Sequence, residues 1–77
     1  MLKELVEYLA RALVEDPTEV SVEAVEDEKI TTLRLKVAPS DLGRVIGKQG
    51  RTARAMRTLL HATAAKARRR AVLEIVE

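Results

Sequence analysis

The chain has 77 residues, no cysteine and one histidine, and its formal net charge is +2. A chain of this length is near the lower limit at which one apolar core is stable, so we expect a single domain over residues 1–77. Without cysteine there is no disulfide framework and no thiolate metal site, and His61 alone cannot form a metal cluster. We therefore expect neither a metal nor a cofactor.

The basic residues are concentrated in the second half of the chain. Residues 1–42 carry five basic and ten acidic side chains, whereas residues 43–77 carry nine basic and two acidic ones. A basic half of this density favours a polyanionic partner, but the solvated surface of a heat-stable protein explains charge alone equally well. No stretch approaches the ~20 apolar residues of a membrane span and no signal peptide is recognisable, so we expect a cytoplasmic protein without membrane contact.

An amphipathic helix is predicted over residues 1–14. Its apolar side chains recur with the helical period and are Leu2, Leu5, Val6, Leu9 and Leu13. Proline lacks an amide hydrogen and biases its predecessor away from the helical conformation, so Asp16 and Pro17 end this helix.

Two antiparallel strands are predicted next. Residues 20–26 alternate between apolar and polar side chains, and residues 30–37 do the same with more β-branched residues. The polar residues 27–29 between them are few enough for a hairpin turn.

A short helix is predicted over residues 42–46. Pro39 breaks the preceding strand, and Ser40 or Asp41 can cap the helix by accepting a hydrogen bond from a free backbone amide. Two glycines, Gly47 and Gly50, follow it directly.

A longer helix is predicted from Gly50 to residue 67, and residues 71–76 are predicted as a third strand. The apolar stripe of the helix is formed by Ala53, Met56, Leu60, Ala64 and Ala67. The order is therefore helix, strand, strand, helix, helix, strand. The simplest way to bury these stripes together is an α+β fold, in which three helices cover one face of a three-stranded sheet.

The segment Gly47-Lys48-Gln49-Gly50 joins the two helices through a bend that glycine makes accessible. The free amides and positive dipole end of the second helix point where Lys48 and Arg51 also point, so a phosphodiester backbone fits against this corner. A side chain at either glycine is expected to obstruct the sugar and phosphate. The glycine spacing matches neither a Walker phosphate loop nor a dinucleotide fingerprint, so nucleotide hydrolysis is not expected. No Ser/His/Asp or metal-ligand spacing appears either, so we expect no enzyme activity.

The run from Val45 to Arg51, Val-Ile-Gly-Lys-Gln-Gly-Arg, resembles the V-I-G-x-x-G signature of KH domains. The element order resembles the type II, prokaryotic variant, and the chain length resembles the small stand-alone bacterial KH proteins of the KhpA family. The resemblance covers essentially all of the chain. It implies a cleft for about four single-stranded nucleotides and a non-catalytic, RNA chaperone-like or regulatory RNA-binding function.

The resemblance also implies a role for individual residues. The RNA-binding candidates are Gly47, Lys48, Gln49 and Gly50 as the clamp, Val45 and Ile46 near the floor, Arg51 and Arg54 at the phosphates, and Arg44 beside them. Ala53 is smaller than the aliphatic residue common there in the family, which implies a shallower floor. Because Tyr8 is the only aromatic residue, binding cannot depend on bases stacked on aromatic rings, and affinity should fall steeply with salt.

The same residues also fit simpler interpretations. The two glycines are compatible with a tight helix-helix turn, and Arg51, Arg54 and Arg57 are compatible with a solvated helix face. Residues 68–70, three arginines, either reach the nucleic acid or lie in a solvated turn. The main alternative function is a protein-interaction or dimerisation module with weak or no RNA binding, and another is binding of single-stranded DNA. The resemblance further implies a homodimer or a pair with a larger KH-containing protein.

Overall fold

A computed structural model describes residues 2–76 of the chain. In chain order its elements are α1 (Leu2–Leu13), β1 (Ser21–Glu26), β2 (Ile30–Lys36), α2 (Leu42–Ile46), α3 (Arg51–Lys66) and β3 (Arg70–Val76). The predicted order and α+β class are confirmed, and each bound lies within about one residue of its prediction. No helix in this part of the chain is long and apolar enough to span a membrane.

β2 occupies the centre of the sheet. β1 pairs with it antiparallel, with Val22 opposite Leu35, which confirms the predicted hairpin. β3 pairs with it in parallel, with Leu33 opposite Leu73. Parallel neighbours require a crossover connection, and α2 and α3 supply it. The loop between these two helices therefore lies within the crossover, and α3 returns beside β3.

The helices cover one face of the sheet. Leu33 and Leu73 point into the core and are at most 4% exposed, whereas Arg34 and Glu74 at alternate positions are exposed. On the open face the Arg34 guanidinium lies 3.5 Å from the Glu23 carboxylate and 3.4 Å from that of Glu74. These ion pairs cross all three strands and keep the uncovered face polar.

The core differs from the predicted helical stripes where a helix ends or packs closely. Leu13, predicted to face inward, is 38% exposed, whereas Ala10, which the stripe omits, is fully buried. Ala10 lies one turn after the buried Val6, and its small side chain permits a close approach of the neighbouring elements. Leu13 is the last residue of α1, where the chain leaves the core. Ala67, the last residue of the predicted α3 stripe, is likewise exposed because α3 ends one residue before it.

β1 is buried only near its start. Val20 and Val22 are buried, whereas Ala24 is exposed although it lies on the same face of the strand. The prediction of a strand half-buried along its whole length is therefore wrong for its second half. Ala24 borders an open crevice of about 350 Å³ between the start of α1 and the end of α3, where the helices do not cover the strand.

Asp41 is buried but does not cap α2 with its side chain, contrary to the prediction. Its carboxylate accepts hydrogen bonds from the backbone amides of Glu15 (3.0 Å) and Asp16 (3.1 Å), and the Arg44 Nε lies 3.3 Å away. A buried carboxylate must be hydrogen-bonded, and the free amides after α1 satisfy it better than the exposed start of α2. Asp41 therefore ties the end of α1 to the start of α2.

Candidate nucleic-acid interface

The GKQG loop, residues 47–50, has a backbone that is left-handed at three of four positions. The φ angles are +79° at Gly47, +58° at Gln49 and +73° at Gly50. The Gly47 amide closes α2 by donating to the Gly43 carbonyl (2.9 Å), and the Gly50 amide donates to the Gly47 carbonyl (3.0 Å). The loop is thus a tight turn between α2 and α3.

Gly47 is required by the protein itself. Its φ and ψ of +79° and +167° lie in a region that essentially only glycine adopts. A Cβ atom there would lie 2.7 Å from the backbone nitrogen of Thr52 and would overlap the Thr52 hydroxyl. The sequence predicts that the approach of a nucleic acid requires this glycine, but the first atoms that a side chain would meet belong to α3.

Gly50 differs from Gly47 because space is open beside it. No heavy atom lies within 4 Å of a Cβ built at this position, although its φ of +73° still favours glycine. A side chain at Gly50 would therefore project into open space, whereas one at Gly47 would collide with α3.

The amino terminus of α3 begins at this loop without a side-chain cap. Gly50 is the capping residue, and no side chain in residues 2–76 donates or accepts a cap hydrogen bond there. Lys48 and Gln49 are exposed, and the Arg51 Nη2 donates to the Gln49 Oε1 at 3.4 Å. The Gly50 and Arg51 amides already donate to the Gly47 and Lys48 carbonyls. This end of α3 therefore presents to solvent its positive dipole end and two cations, Lys48 and Arg51.

The cations around the loop have no acidic partners, unlike most arginines elsewhere. Across residues 2–76, no ion pair is found for Lys48, Arg51 or Arg54, and α3 contains no acidic residue. The ion pairs that do form join Arg11 to Glu7, Arg34 to Glu23 and Glu74, Arg44 to Glu15 and Asp41, and Arg69 to Glu26. The positive charge at the loop is thus left for an external anion.

Arg44 is the predicted RNA-binding residue that the structure engages elsewhere. Its guanidinium pairs with the exposed Glu15 carboxylate and with the buried carboxylate of Asp41. Half of the Arg44 side chain remains exposed. Its contact with RNA stays a prediction, and such a contact has to compete with these two acids.

Val45 and Ile46 occupy different depths beside the loop. Val45 is 0% exposed and belongs to the apolar core. Its side chain therefore packs beneath the predicted binding surface and has no exposed area for contact with a base. Ile46 is partly exposed and lies next to Gly47, where a base can reach it. Ala53, at 4% exposed, is likewise part of the buried support of α3.

Arg57 reaches from α3 to β3, a contact that the sequence does not predict. Its Nη2 donates to the backbone carbonyl of Leu73 at 3.3 Å. β3 is an edge strand, so one side of its backbone has no strand partner. Arg57 thus spans the cleft between α3 and this edge. No local sequence signal indicates a contact between residues 16 positions apart.

Residues 68–70 lie at the other end of α3, which is about 24 Å long. Arg69 donates to Thr31 Oγ1 (3.0 Å) and to the carbonyls of Asp27 (3.0 Å) and Glu28 (3.3 Å). Arg69 therefore holds the β1–β2 turn against the start of β3. It does not reach the loop, and the alternative of a uniformly solvated turn is also wrong for it.

The single histidine lies away from the loop. His61 is exposed on α3, ten residues or about 15 Å from Arg51 at the loop. No group of three or more His, Cys, Asp or Glu residues within residues 2–76 is arranged to hold a metal ion.

Solved structures show the same fold. A structure of a variant of Aquifex aeolicus Era bound to GDP.AlF4- aligns with a TM-score of 0.69 and 19% identity, over 96% of this chain and 29% of that chain. Era in complex with MgGDPNP and nucleotides 1506–1542 of 16S ribosomal RNA aligns with a TM-score of 0.71 and 19% identity, over 96% and 28%. The chain thus spans less than a third of each Era chain, and the likeness concerns the fold alone.

Sequence comparison identifies the family. Residues 3–75 match the family described as KhpA/KhpB, KH domain. Proteins named RNA-binding protein KhpA are 51% identical in Clostridium acetobutylicum, over 97% of this chain and 100% of the relative, and 50% identical in Aquifex aeolicus, over 99% and 96%. The relative of that name in Treponema pallidum is 51% identical over 100% of this chain and 96% of its own. The chain therefore belongs to the KhpA/KhpB family of KH domains.

Proposed function

We propose that the chain is a non-catalytic protein that binds single-stranded RNA, with the GKQG loop as its clamp. The observation that carries this proposal is the group of unpaired cations, Lys48, Arg51 and Arg54, around an open loop and an uncapped helix terminus. The names of the relatives in three bacteria support RNA as the polyanion.

In this proposal the sugar-phosphate backbone lies against Gly50, where a Cβ would meet open space, and close to the positive dipole end of α3. Lys48 and Arg51 neutralise the adjacent phosphates, and Arg54 follows one turn later. Bases contact the exposed part of Ile46 and the cleft along α3. Because these contacts hold only about four nucleotides, affinity for one copy is expected to be weak.

The test is a double charge variant in the loop, Lys48→Asp with Gln49→Asp. Binding of single-stranded RNA should fall below detection in a fluorescence-anisotropy titration, because two carboxylates would repel the phosphates. Asp tolerates the left-handed conformation at position 49, so the circular dichroism spectrum should stay unchanged. Equal RNA affinity of the folded variant and the parent protein would refute the proposed clamp.

The matched control is Lys3→Asp, which reverses one charge at the start of α1. Lys3 borders the crevice beside the end of α3, at the opposite end of that helix from the loop. An acidic residue in the first turn suits the helix dipole, so folding should be retained. RNA affinity of Lys3→Asp should stay within about twofold of the parent, whereas Lys48→Asp alone should lower it at least about tenfold.

We further propose that the chain acts as a dimer, with a second copy or a larger KH-containing protein. Leu59 on the outer side of α3 is 49% exposed and lines a shallow hollow. Arg51 and Arg54 border the other end of this hollow, so the proposed dimer contact at Leu59 adjoins the proposed phosphate contacts. A second RNA clamp raises affinity through effective concentration, as an RNA chaperone requires. Light scattering should give twice the monomer mass, and Leu59→Lys should restore the monomer. A dimer without salt-sensitive RNA binding would favour a protein-interaction function.

We also propose that the protein binds single-stranded RNA more tightly than single-stranded DNA. Competition of single-stranded DNA against labelled RNA of the same sequence measures this preference, and equal competition by DNA and RNA would contradict it. The site of action is the cytoplasm, where ribosomal and messenger RNA are found, and cell fractionation with an antibody to the chain tests this.

A further inference from the structure

A cavity of about 460 Å³ lies at the far end of α3 from the GKQG loop, beside the free edge of β3. The residues around it are Ile30, His61, Arg69, Arg70, Ala71 and Val72. We propose that this cavity is a second nucleotide subsite, which takes roughly one or two further nucleotides of the same RNA strand. The inference rests on the proposed RNA-binding function.

α3 and β3 lie side by side between the loop and this cavity. Arg57 of α3 contacts Leu73, and one turn later His61 borders the cavity with Ala71. As residue numbers increase along α3, the residues they face on β3 have decreasing numbers. The two elements therefore run side by side in opposite directions. His61 is ten residues or about 15 Å along the helix from Arg51. An RNA strand that is bound at the loop and runs along α3 on its β3 side therefore reaches the cavity.

The charge around the cavity suits a phosphate. His61 and Arg70 are exposed, and no ion pair of either is found within residues 2–76. Among residues 2–76 no acidic side chain borders the cavity, and Glu26, which lies 3.7 Å from the Arg69 guanidinium, is paired with it. Arg69 is engaged with the β1–β2 turn and serves as a fixed wall, so His61 and Arg70 are the groups left for an anion.

Apolar side chains beside His61 and Arg70 suit a base. Ile30 is 37% exposed and Val72 is 43% exposed, and both lie on the open side of neighbouring strands. Tyr8, the only aromatic residue, lies on α1 and is not among the residues around this cavity. Base contact in the cavity therefore falls to these exposed aliphatic side chains and to the imidazole ring of His61, next to the Arg70 guanidinium. This combination matches a nucleotide better than an inorganic anion, which has no apolar part.

The test compares RNA lengths. Labelled pools of random-sequence RNA, four and eight nucleotides long, are titrated against the full chain by fluorescence anisotropy and by amide NMR. The eight-nucleotide pool should bind at least about fivefold more tightly. It alone should shift the amide signals of Arg70, Ala71 and Val72, whereas both pools should shift those of the GKQG loop.

The variant is His61→Gln with Arg70→Gln, which removes the two free polar contacts of the cavity. It should lower affinity for the eight-nucleotide pool to that for the four-nucleotide pool and leave the latter unchanged. The control is Lys66→Gln, which removes one charge at the same end of α3. Lys66 is five residues after His61 and so faces away from the β3 side of the helix, and this variant should keep the length effect.

Four results would overturn the subsite. The first is equal affinity of the parent protein for both RNA lengths, and the second is an equal loss of affinity for both lengths in the double variant. The third is a complex of two protein chains on one eight-nucleotide RNA, because bridging would then explain the length effect. The fourth is a shift of the cavity amide signals with an oligoglutamate peptide but not with RNA. Loss of all RNA binding by the parent protein would instead refute the proposed function, and the subsite with it.

Discussion

The two ends of α3 are both rich in arginine, but the arginines have different roles. At the start of the helix, Arg51 and Arg54 have no ion pair within residues 2–76. Beyond its end, Arg69 makes hydrogen bonds to a side chain and two backbone carbonyls, and lies 3.7 Å from the Glu26 carboxylate. Arginines of the same charge therefore differ in whether their guanidinium groups are available to a binding partner.

The difference arises from what surrounds each end. The β1–β2 turn, residues 26–30, brings carboxylates and carbonyls to the end of α3, and the Arg70 amide also donates to the Lys29 carbonyl there (2.8 Å). The start of α3 has the GKQG loop beside it, which contains no acid. The guanidinium of Arg69 is thus satisfied by the protein, while those of Arg51 and Arg54 stay open to phosphate.

The largest effect is expected from Gly47→Ala, which acts on the shape of the open end. The added Cβ would overlap Thr52 in a backbone region reserved for glycine, so the free energy of unfolding should fall by about 3 kcal/mol. Urea unfolding followed by circular dichroism measures this. A loss below about 1 kcal/mol would show that the loop relaxes around the methyl group.

Gly50→Asn is the matched variant at the other glycine. Asn tolerates the left-handed conformation and space is open beside position 50, so stability should change by less than about 1 kcal/mol. RNA affinity should nevertheless fall, because the side chain covers the surface that the phosphates approach. Unchanged RNA affinity in this folded variant would contradict that use of Gly50.

Arg69→Ala should remove the fixed role at the other end of the helix. It deprives the buried Thr31 hydroxyl and two carbonyls of their donor, so we expect a loss of about 2 kcal/mol in unfolding free energy. The melting temperature should fall by about 10 °C. Arg70→Ala, one residue on and without an ion pair, is the control and should change stability by less than about 0.5 kcal/mol.

Arg54→Gln should show the opposite pattern to Arg69→Ala. Its stability should be unchanged, whereas RNA affinity should fall by about fivefold, or about 1 kcal/mol. The slope of log affinity against log salt concentration should become shallower by about 0.7, the value for one lost phosphate contact on a single strand. If Arg54→Gln lowered the free energy of unfolding by more than it lowered the free energy of RNA binding, the contrast between the two ends of α3 would be refuted.

The smallest effect is expected at Arg68, whose φ is +58°. This residue closes α3 in the left-handed conformation, and its amide donates to the Ala65 carbonyl at 3.0 Å. Arg68→Gly should stabilise the protein by about 0.5 kcal/mol, because glycine adopts this conformation without strain. Thermal unfolding of both forms at the same ionic strength measures the difference, and destabilisation would show that the Arg68 side chain has a contact of its own.

Local patterns predict the elements well and their packing less well. The helical period of α3 identifies four buried residues correctly, and these are Ala53, Met56, Leu60 and Ala64. In α1 the same period misplaces Leu13 and omits Ala10, because a stripe does not reveal how far the neighbouring elements extend. Asp41 is predicted to cap α2, although a buried carboxylate binds whichever free amides the fold brings closest.

For the candidate site, the KH signature indicates the loop and its cations, but it does not predict which residues each arginine contacts. The contacts of Arg44 with Glu15, of Arg57 with Leu73 and of Arg69 with the β1–β2 turn join residues 16 or more positions apart. Sequence separation of this kind carries no periodic signal.

Local patterns are enough to predict the order of the elements, the glycine bend between two helices and the excess of positive charge after residue 42, since periodicity, glycine conformation and composition are local properties. The folded structure is needed to show which cations lack an ion pair, why Gly47 cannot carry a side chain and which residues lie beside α3. These depend on distances between segments remote in the chain, which packing of the core against the sheet sets.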